Sequence, residues 1–284
     1  MKIRRVDDLA EGIERLVPLL SKEPILYAQM LGVLARLKMT PSAFGEAKPL
    51  LWLVEQTDGQ LLGGALRTPP FPLQFSVMDD TVLQALGRRV LEDDPECPGV
   101  IGLAPKVQLL AHSMEPADSP AKTRLHMTLY GLIELKVKPK GGLTYRKAEL
   151  NDFDLVSRWM HRFIIDCDLP DGPLPEKRLR EELETGRIDL GLNKDGEPVL
   201  MFKAIVIEDT RILRIGAVYT PDEHRGRGYA TEGLADAIDR KLGVEIEVVT
   251  LFADKNNPVS NRMYLNLGFV RSADVLMMNW REST

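Results

Sequence analysis

Residues 218–230 read Val-Tyr-Thr-Pro-Asp-Glu-His-Arg-Gly-Arg-Gly-Tyr-Ala, and this stretch joins two segments of different hydrophobic period. The run 212–218 before the loop is apolar and rich in β-branched residues, which predicts a buried strand. From Ala230 onward, apolar residues recur at helical spacing and polar residues occupy the other faces. The sequence therefore predicts a strand, a glycine-bearing loop and an amphipathic helix, in that order.

The loop has the composition of an anion-binding turn. Gly226 and Gly228 allow the backbone to turn tightly and to approach a ligand without a Cβ between them. The first turn of the following helix presents free N–H groups and a partial positive charge, which favour a phosphate. Two common phosphate loops are excluded, because the stretch has neither the Gly-Lys-Ser/Thr end of a P-loop nor the Gly-x-Gly-x-x-Gly of a dinucleotide-binding loop.

A second motif follows at residues 257–269, which read Asn-Pro-Val-Ser-Asn-Arg-Met-Tyr-Leu-Asn-Leu-Gly-Phe. Asn257 occupies a position suited to a helix N-cap, and Gly268 follows the last helical position. Ser260 and Tyr264 are four residues apart, so the predicted helix presents both on one face. An apolar stripe is predicted beside them, formed by Val259, Met263 and Leu267.

Together the two motifs resemble those of the GCN5-related N-acetyltransferases (GNAT). The resemblance rests on Arg225-x-x-Gly228-x-Ala230 and on the spacing from Asn257 to Gly-Phe, and it covers roughly residues 143–280. It implies the mixed α/β (α+β) acyltransferase fold of that family. It also implies an enzyme that transfers an acetyl group from acetyl-CoA, as co-substrate, to a primary amine of a small-molecule acceptor.

The resemblance assigns roles to residues of both motifs. One group would bind the coenzyme pyrophosphate through backbone N–H groups: Gly226, Arg227, Gly228, Tyr229, Ala230 and Thr231. A second group, Val218, Tyr219 and Thr220, would lie along the pantetheine arm, and one of its amides would polarise the thioester carbonyl. Tyr264 would protonate the leaving sulfur, with Ser260 on the same helical face. Asn257 would contact the coenzyme arm, although capping alone explains an Asn there. The side chains of Arg225 and Arg227 would either contact phosphate or remain solvated.

The sequence does not single out one residue as the general base. Several members of the family carry a glutamate five residues before the motif asparagine, and Phe252 occupies that position here. Glu208, in the turn before the central strand, is the first candidate, and the alternatives are Asp209, Asp166 and Asp168. A water-relayed or baseless mechanism also fits, because an amine of low pKa needs little help. The irregular loop 166–175 is predicted to line the acceptor site, and its acidic residues suit a cationic amine.

Landmarks of the second half recur in the first. A chain of 284 residues predicts two domains. A strand leading into a helix is predicted near residues 3–9 and again near 144–150, and each is followed by a hairpin with an Asp-Gly turn. We therefore predict a duplication, with a degenerate GNAT-like domain at 1–138 and the catalytic domain at 143–284. Three prolines in the stretch 69–72 remove backbone donors before the next helix, which predicts a lost coenzyme site.

Composition limits the partners. A net charge of −5 argues against a nucleic acid or a membrane surface as the main partner. Two distant cysteines and four scattered histidines have no metal-ligand spacing, so no metal is expected and a reduced cytoplasmic location is favoured. The expected assembly is a monomer or homodimer. Competing hypotheses are an acyl-CoA sensor without turnover, and a transferase of longer acyl groups or to a non-amine acceptor.

Overall fold

The computed structural model describes residues 1–169, 172 and 174–281. Contacts between residues divide the chain into two units. The first comprises Met1–Met127 together with the chain from Ala273 onward, and the second comprises Thr128–Ser272. Each unit combines helices with a mixed sheet, so the predicted α/β fold class is confirmed.

The first unit holds a six-stranded sheet in the order β1-β2-β3-β4-β5-β12. Its elements in chain order are β1 (Lys2–Val6), α1 (Leu9–Leu20), α2 (Pro24–Met39), β2 (Leu50–Glu55), β3 (Leu61–Arg67), β4 (Leu73–Phe75), α3 (Asp80–Asp93), β5 (Gly99–Leu103), α4 (Ala104–Met114), the start of β6 (Lys122–Leu132) and the end of β12 (Val270–Asn279). β4 and β5 pair in parallel, whereas β5 and β12 pair antiparallel. Asp8 caps α1 by accepting the N–H of Ala10 at 2.9 Å.

The second unit holds a sheet in the order β6-β11-β10-β9-β8-β7. After the end of β6, its elements are β7 (Thr144–Lys147), α5 (Phe153–Asp166), α6 (Glu176–Glu184), β8 (Asp189–Leu192), β9 (Pro198–Val206), β10 (Ile212–Tyr219), α7 (Tyr229–Asp239), β11 (Val248–Asp254), α8 (Pro258–Leu267) and the start of β12. The predicted strand, loop and helix around residues 212–239 are thus confirmed.

Two hydrophobic clusters cover the two faces of this second sheet. The α7–α8 face includes Leu213, Ile215, Val249 and Leu251 from the strands, packed with α7 and α8. The α5–α6 face includes Met201 and Tyr219, packed with α5 and α6. Because successive strand residues point to opposite faces, the residues between those of one cluster belong to the other face.

Each unit takes its last strand from the other half of the chain: the end of β12 belongs to the first unit, and the end of β6 belongs to the second. The run 129–137 is predicted as the closing strand of the first domain, but β6 ends at Leu132 and its residues from Thr128 belong to the second unit. Conversely, the end of β12 belongs to the first unit and pairs with β5. The boundaries 1–138 and 143–284 remain a prediction from the sequence.

Of the predicted irregular loop 166–175, Pro170, Asp171 and Pro173 lie outside the described residues. None of the described helices has the length and apolar character needed to cross a membrane.

Candidate active site

Two central strands of the second unit pair only at their starts. β10 and β11 run parallel, and their ladder ends at the pair Arg214–Thr250. β10 nevertheless continues to Tyr219, and β11 continues to Asp254. The carboxyl halves of the two strands therefore present backbone groups that the ladder between them does not use. Such an edge can take an extended ligand between the strands.

A β-bulge lies on this edge of β10. Gly216 faces Lys203 of β9 and Tyr219 faces Met201, so three residue steps on β10 match two on β9. Ala217 inside the bulge has φ 48°, in the left-handed region that disfavours a residue with a Cβ. This conformation costs about 1 kcal/mol, and such strain concentrates at functional sites. The bulge redirects the backbone amides of β10 beside the open edge.

The loop after β10 reaches α7 through two glycines in the left-handed region. Gly226 has φ 76° and Gly228 has φ 80°. A Cβ added to either would meet no other atom within 4 Å. Backbone conformation therefore accounts for the two glycines within the protein, and the open space beside them leaves room for a ligand.

Six consecutive backbone N–H groups, from Gly226 to Thr231, have no acceptor among the described residues. The next amide, that of Glu232, bonds to the carbonyl of Gly228 at 3.0 Å. The six donors surround the amino end of α7, where the helix dipole is positive. The exposed side chain of Arg227 donates to the carbonyl of Glu223 at 3.1 Å. The structure thus assembles the predicted pyrophosphate-binding set in one place, and its ligand remains a prediction.

The side chain of Arg225 is engaged by the protein. Nη2 lies 2.6 Å from Asp166 Oδ2, and Nη1 lies 2.7 Å from Asp222 Oδ1. Nε donates to the carbonyl of Thr220 at 3.0 Å, and the guanidinium lies 5.7 Å from the ring centre of Tyr219. The hydrogen bond with Asp166 raises the pKa of Arg225. Arg225 therefore braces the loop against the end of α5, and its guanidinium is not directed to a phosphate.

The start of α8 has the predicted cap. Asn257 accepts hydrogen bonds from the N–H groups of Val259 and Ser260, both at 3.1 Å, so the capping role is confirmed. Ser260 Oγ donates to the carbonyl of Asn257 at 3.3 Å. The predicted apolar stripe is wrong at Val259, which is 78% exposed. The buried face of α8 consists instead of Asn261, Tyr264 and Leu267.

Tyr264 lies in the core of the α7–α8 face, 6% exposed. Its ring centre is 5.8 Å from that of Tyr130 and 5.9 Å from that of Phe269. Burial raises the pKa of Tyr264, and the Cys167 thiol adds to the effect. The hydroxyl is therefore protonated at neutral pH and can act as a hydrogen-bond donor.

Asn261 positions this helix and was not anticipated from the sequence. Its amide nitrogen donates to the carbonyls of Asp254 and Lys255, each at 3.1 Å. Its amide oxygen accepts from the hydroxyl of Tyr130 at 3.0 Å. These bonds tie α8 to the end of β11 and fix the residue one turn later, Tyr264. A polar residue on the inner face of an amphipathic helix is the signal that could have indicated it.

The structure does not bring Glu208 to this site. Glu208 is exposed, in the turn between β9 and β10, and Asp209 lies in the same turn. Five residues of strand separate the start of β10 from Ala217, which amounts to about 17 Å at the usual rise per residue. Asp166 is held by Arg225, and Asp168 is exposed. Glu208 and Asp209 therefore lie away from the bulge, and the identity of a base remains a prediction.

The first unit has a different loop at the corresponding place. The stretch Pro69–Pro72 lies between β3 and β4, so its predicted equivalence to the phosphate loop is wrong. The equivalent connection is 76–79, between β4 and α3, and it contains no glycine. The sequence reading missed it because β4 has only three residues.

Residues 190–277 match a family model described as FR47-like protein, a GNAT-related family. Solved structures of similar fold include a GNAT-family acetyltransferase from Colwellia psychrerythraea, at 13% identity and TM-score 0.59, covering 99% of this chain and 100% of that one. A Drosophila protein matches at 12% identity and TM-score 0.66, covering 99% of both chains.

A tandem GNAT protein from the clavulanic acid biosynthesis pathway is also similar, at 14% identity and TM-score 0.57, covering 98% of this chain and 97% of that one. No curated protein sequence gives a significant match. At sequence identities this low, the structural similarity shows the fold alone. The resemblance seen in the sequence is thus confirmed: the chain has the fold of the GCN5-related N-acetyltransferases of tandem type, and its second half carries the FR47-like match.

Proposed function

We propose that the second unit transfers an acetyl group from acetyl-CoA to a primary amine of a small-molecule acceptor. The observation that carries this proposal is the continuity between the open edge of β10 and the row of free amides from Gly226 to Thr231. An extended pantetheine arm can hydrogen-bond along the edge, and the pyrophosphate then lies at the amino end of α7. The fold of the chain supports the same assignment.

The free amides supply most of the anion binding in this proposal. Arg225 is held by Asp166 and Asp222, so the pyrophosphate depends on N–H groups and on the dipole of α7. Backbone donors are fixed before the ligand arrives, and little conformational entropy is lost on binding. The left-handed glycines matter because they orient these donors.

The chemistry is the exchange of a C–S bond for a C–N bond. The nitrogen lone pair of the acceptor attacks the thioester carbonyl, and the oxygen takes up negative charge. A backbone amide at the bulge around Ala217 would stabilise that charge. As the C–S bond breaks, its electron pair moves to sulfur, and the proton lost by the attacking nitrogen passes to solvent water, which later returns a proton to the Tyr264 oxygen. Tyr264 would donate its hydroxyl hydrogen to the departing sulfur, since burial keeps this hydroxyl protonated.

The amine must arrive neutral for this reaction. Because Glu208 lies at the other end of β10, we propose that the acceptor reaches the bulge already deprotonated. The rate should then rise tenfold per pH unit below the pKa of the acceptor amine and level off above it. The pKa of an α-amino group is about 8. A pH profile set by a group near pH 4 to 5, independent of the acceptor, would restore a carboxylate base.

The experiment is a turnover screen joined to a binding measurement. Acetyl-CoA is titrated into the full chain by calorimetry, and release of free thiol is followed with amines, amino acids and polyamines as acceptors. We expect binding of acetyl-CoA and acceptor-dependent thiol release. Binding without release for any acceptor would favour a sensor, and absence of binding would refute the proposal.

A further inference from the structure

The α5–α6 face of the second sheet carries charged residues that the chemistry above does not use. Arg214 lies at the centre of β10, between Leu213 and Ile215, which both face α7 and α8. Its side chain therefore belongs to the opposite face. Burial lowers the pKa of Arg214 to about 10, so the guanidinium stays charged at neutral pH. Among the described residues, no hydrogen-bonding or charged partner influences the pKa of this guanidinium, which responds to burial alone.

The strand beside it contributes a second group without a partner. Thr250 of β11 is the register partner of Arg214 and is 0% exposed. Its neighbours Val249 and Leu251 face α7 and α8, so Thr250 shares the face of Arg214. Its hydroxyl has no hydrogen-bond partner in the described part of the chain. Buried polar groups are nearly always hydrogen-bonded, so this hydroxyl is available to a water, an ion or a ligand.

A second cation lies on the other side of Arg214. Lys203 of β9 faces Gly216, while Arg214 faces Ile205, so Lys203 and Arg214 are diagonal neighbours, about 7 Å apart. Lys203 Nζ lies 3.0 Å from the buried carboxylate of Glu182 on α6.

The charge around Lys203 is unbalanced. Burial lowers the pKa of Lys203, Glu182 opposes this shift, and the positive charges of Arg178 and Arg214 add to it. Glu182 offsets the charge of Lys203, and Arg214 adds a further positive charge whose pKa is influenced by burial alone. An excess of positive charge in a partly buried site favours an anionic ligand.

Gly216 provides room for such a ligand. A Cβ at this position would meet no atom within 4 Å, although Gly216 lies in the middle of a paired strand. The space therefore opens on the face that carries Lys203 and Arg214. The next residue along β10 is Ala217, where the strand bulges toward the proposed reaction centre.

We propose that Arg214, Lys203 and Thr250 bind an anionic group of the acceptor, so that the acceptor is an amine that also carries a carboxylate or a phosphate. The anion would lie between the three side chains, and the chain linking it to the amine would cross Gly216 toward the bulge. This inference rests on the proposed function. It replaces the cationic acceptor suggested by the acidic loop, because a polyamine would meet like charges here.

The test uses acceptors in matched pairs. Free amino acids are compared with their amides, and phosphoethanolamine is compared with ethanolamine, in the thiol-release assay. We expect the anionic member of the better pair to have at least about tenfold higher kcat/KM, which is 1.4 kcal/mol. The better pair also distinguishes a carboxylate from a phosphate. Equal rates for both members of every pair that is turned over would overturn the proposal.

Variants assign the discrimination to Arg214. Arg214→Met keeps the length of the side chain and removes its charge, and should raise KM for the anionic acceptor at least about tenfold while kcat and acetyl-CoA affinity change little. Arg214→Lys should restore part of the loss, and Thr250→Val should give a smaller loss in the same direction. The control is Arg211→Met, an exposed arginine three residues earlier that pairs with Glu247 at 2.6 Å. It should leave KM unchanged, and an equal rise in both variants would refute a local site.

A binding measurement separates this inference from the proposed function. Melting temperature is recorded without acetyl-CoA, in the presence of the amino acids, phosphoethanolamine or inorganic phosphate. Stabilisation of the wild type but not of Arg214→Met supports the anion site even if acetyl-CoA does not bind. If none of these compounds distinguishes the wild type from Arg214→Met, the anion site is refuted whatever the fate of the acetyl transfer.

Discussion

The loop 76–79 of the first unit and the loop 220–228 of the second occupy the same place in the same order of strand, loop and helix. They differ at the start of the loop, where the first unit bonds two backbone N–H groups internally. In the first unit, the amide of Ser76 bonds to the carbonyl of Gly64 at 2.9 Å, and that of Val77 bonds to the hydroxyl of Tyr27 at 3.1 Å. Further on, both units leave a row of amides without an acceptor in the described chain: Met78 to Val82 in the first unit and Gly226 to Thr231 in the second. Free amides at the helix start are therefore common to both units, and the first loop differs from the second by its bonded first two amides and by its lack of glycine.

The strands beside the two loops differ in the same sense. β4 ends at Phe75, which is buried, and its ring lies 3.2 Å from the position that a Cβ on Gly102 of β5 would take. The protein itself thus fills the space beside β5. At the helix start, Asp79 and Asp80 add two acidic residues, of which Asp80 pairs with Lys106 at 2.7 Å, and negative charge there disfavours a phosphate. We therefore expect the first unit not to bind a coenzyme, for reasons of packing and charge.

The largest effect is expected from a substitution at Tyr264, which tests whether the second unit carries the chemistry. Tyr264→Phe keeps the ring and its packing against Tyr130 and Phe269, and removes one hydroxyl. Loss of a proton donor should lower turnover by roughly 10²-fold, at the low end for general acids. Acetyl-CoA affinity and melting temperature should hardly change, since the hydroxyl acts as charge builds on sulfur. Full activity in this variant would show that Tyr264 only fills the core.

A second prediction concerns the free amides. Gly228→Val forces a β-branched residue into the left-handed region and disturbs the donors at the start of α7. Calorimetry should show acetyl-CoA affinity falling at least about tenfold, or 1.4 kcal/mol.

The matched control for that variant is Gly196→Val. Gly196 has φ 79° in the turn between β8 and β9, and a Cβ there also meets no atom within 4 Å. The backbone strain is therefore similar in both variants, while the control leaves the loop intact. If the two variants lose affinity equally, general destabilisation and not the loop explains the loss.

A smaller effect is expected at Arg225. Arg225→Met removes the ion pairs with Asp166 and Asp222, which are partly exposed and together contribute about 1 kcal/mol. We expect acetyl-CoA affinity to fall less than tenfold and the melting temperature to drop by a few degrees. A loss of affinity as large as that of Gly228→Val, at unchanged melting temperature, would instead make Arg225 a direct phosphate ligand.

No change in binding stoichiometry is expected from substitutions in the loop of the first unit. The chain should bind one equivalent of acetyl-CoA, and Asp79→Asn with Asp80→Asn should leave this stoichiometry at one. Removing the two charges does not free the amides of Ser76 and Val77, which keep their acceptors. A second equivalent, in the wild type or in the double variant, would break the distinction between the two loops.

Local sequence patterns were enough to predict the main elements of the second half. The switch from an apolar run to helical spacing fixed β10, the loop and α7, and the Asn-Pro pair fixed the start of α8. These signals are local because capping, turn chemistry and periodicity act over a few residues. What they could not reveal was α2, which is apolar around its circumference and so shows no stripe.

Contacts between distant segments were equally invisible. The bonds of Asn261 to the end of β11, and the register that sets Arg214 beside Thr250, depend on how separate elements pack. Glu208 was a reasonable base by sequence distance, yet the direction of β10 carries it away from the bulge. Sequence separation alone does not say at which end of a strand a residue lies.

The exchange of last strands has a consequence for how the chain folds. β5 finds its antiparallel neighbour in residues 275–279, with 104–274 lying between them along the chain. Leu276, Met278 and Trp280 complete the hydrophobic cluster that contains Trp52 and Phe75. The first unit therefore cannot close when its own half has emerged from the ribosome, and its unfinished edge must stay protected while the second unit is made. Such long-range pairing slows folding and exposes intermediates to aggregation.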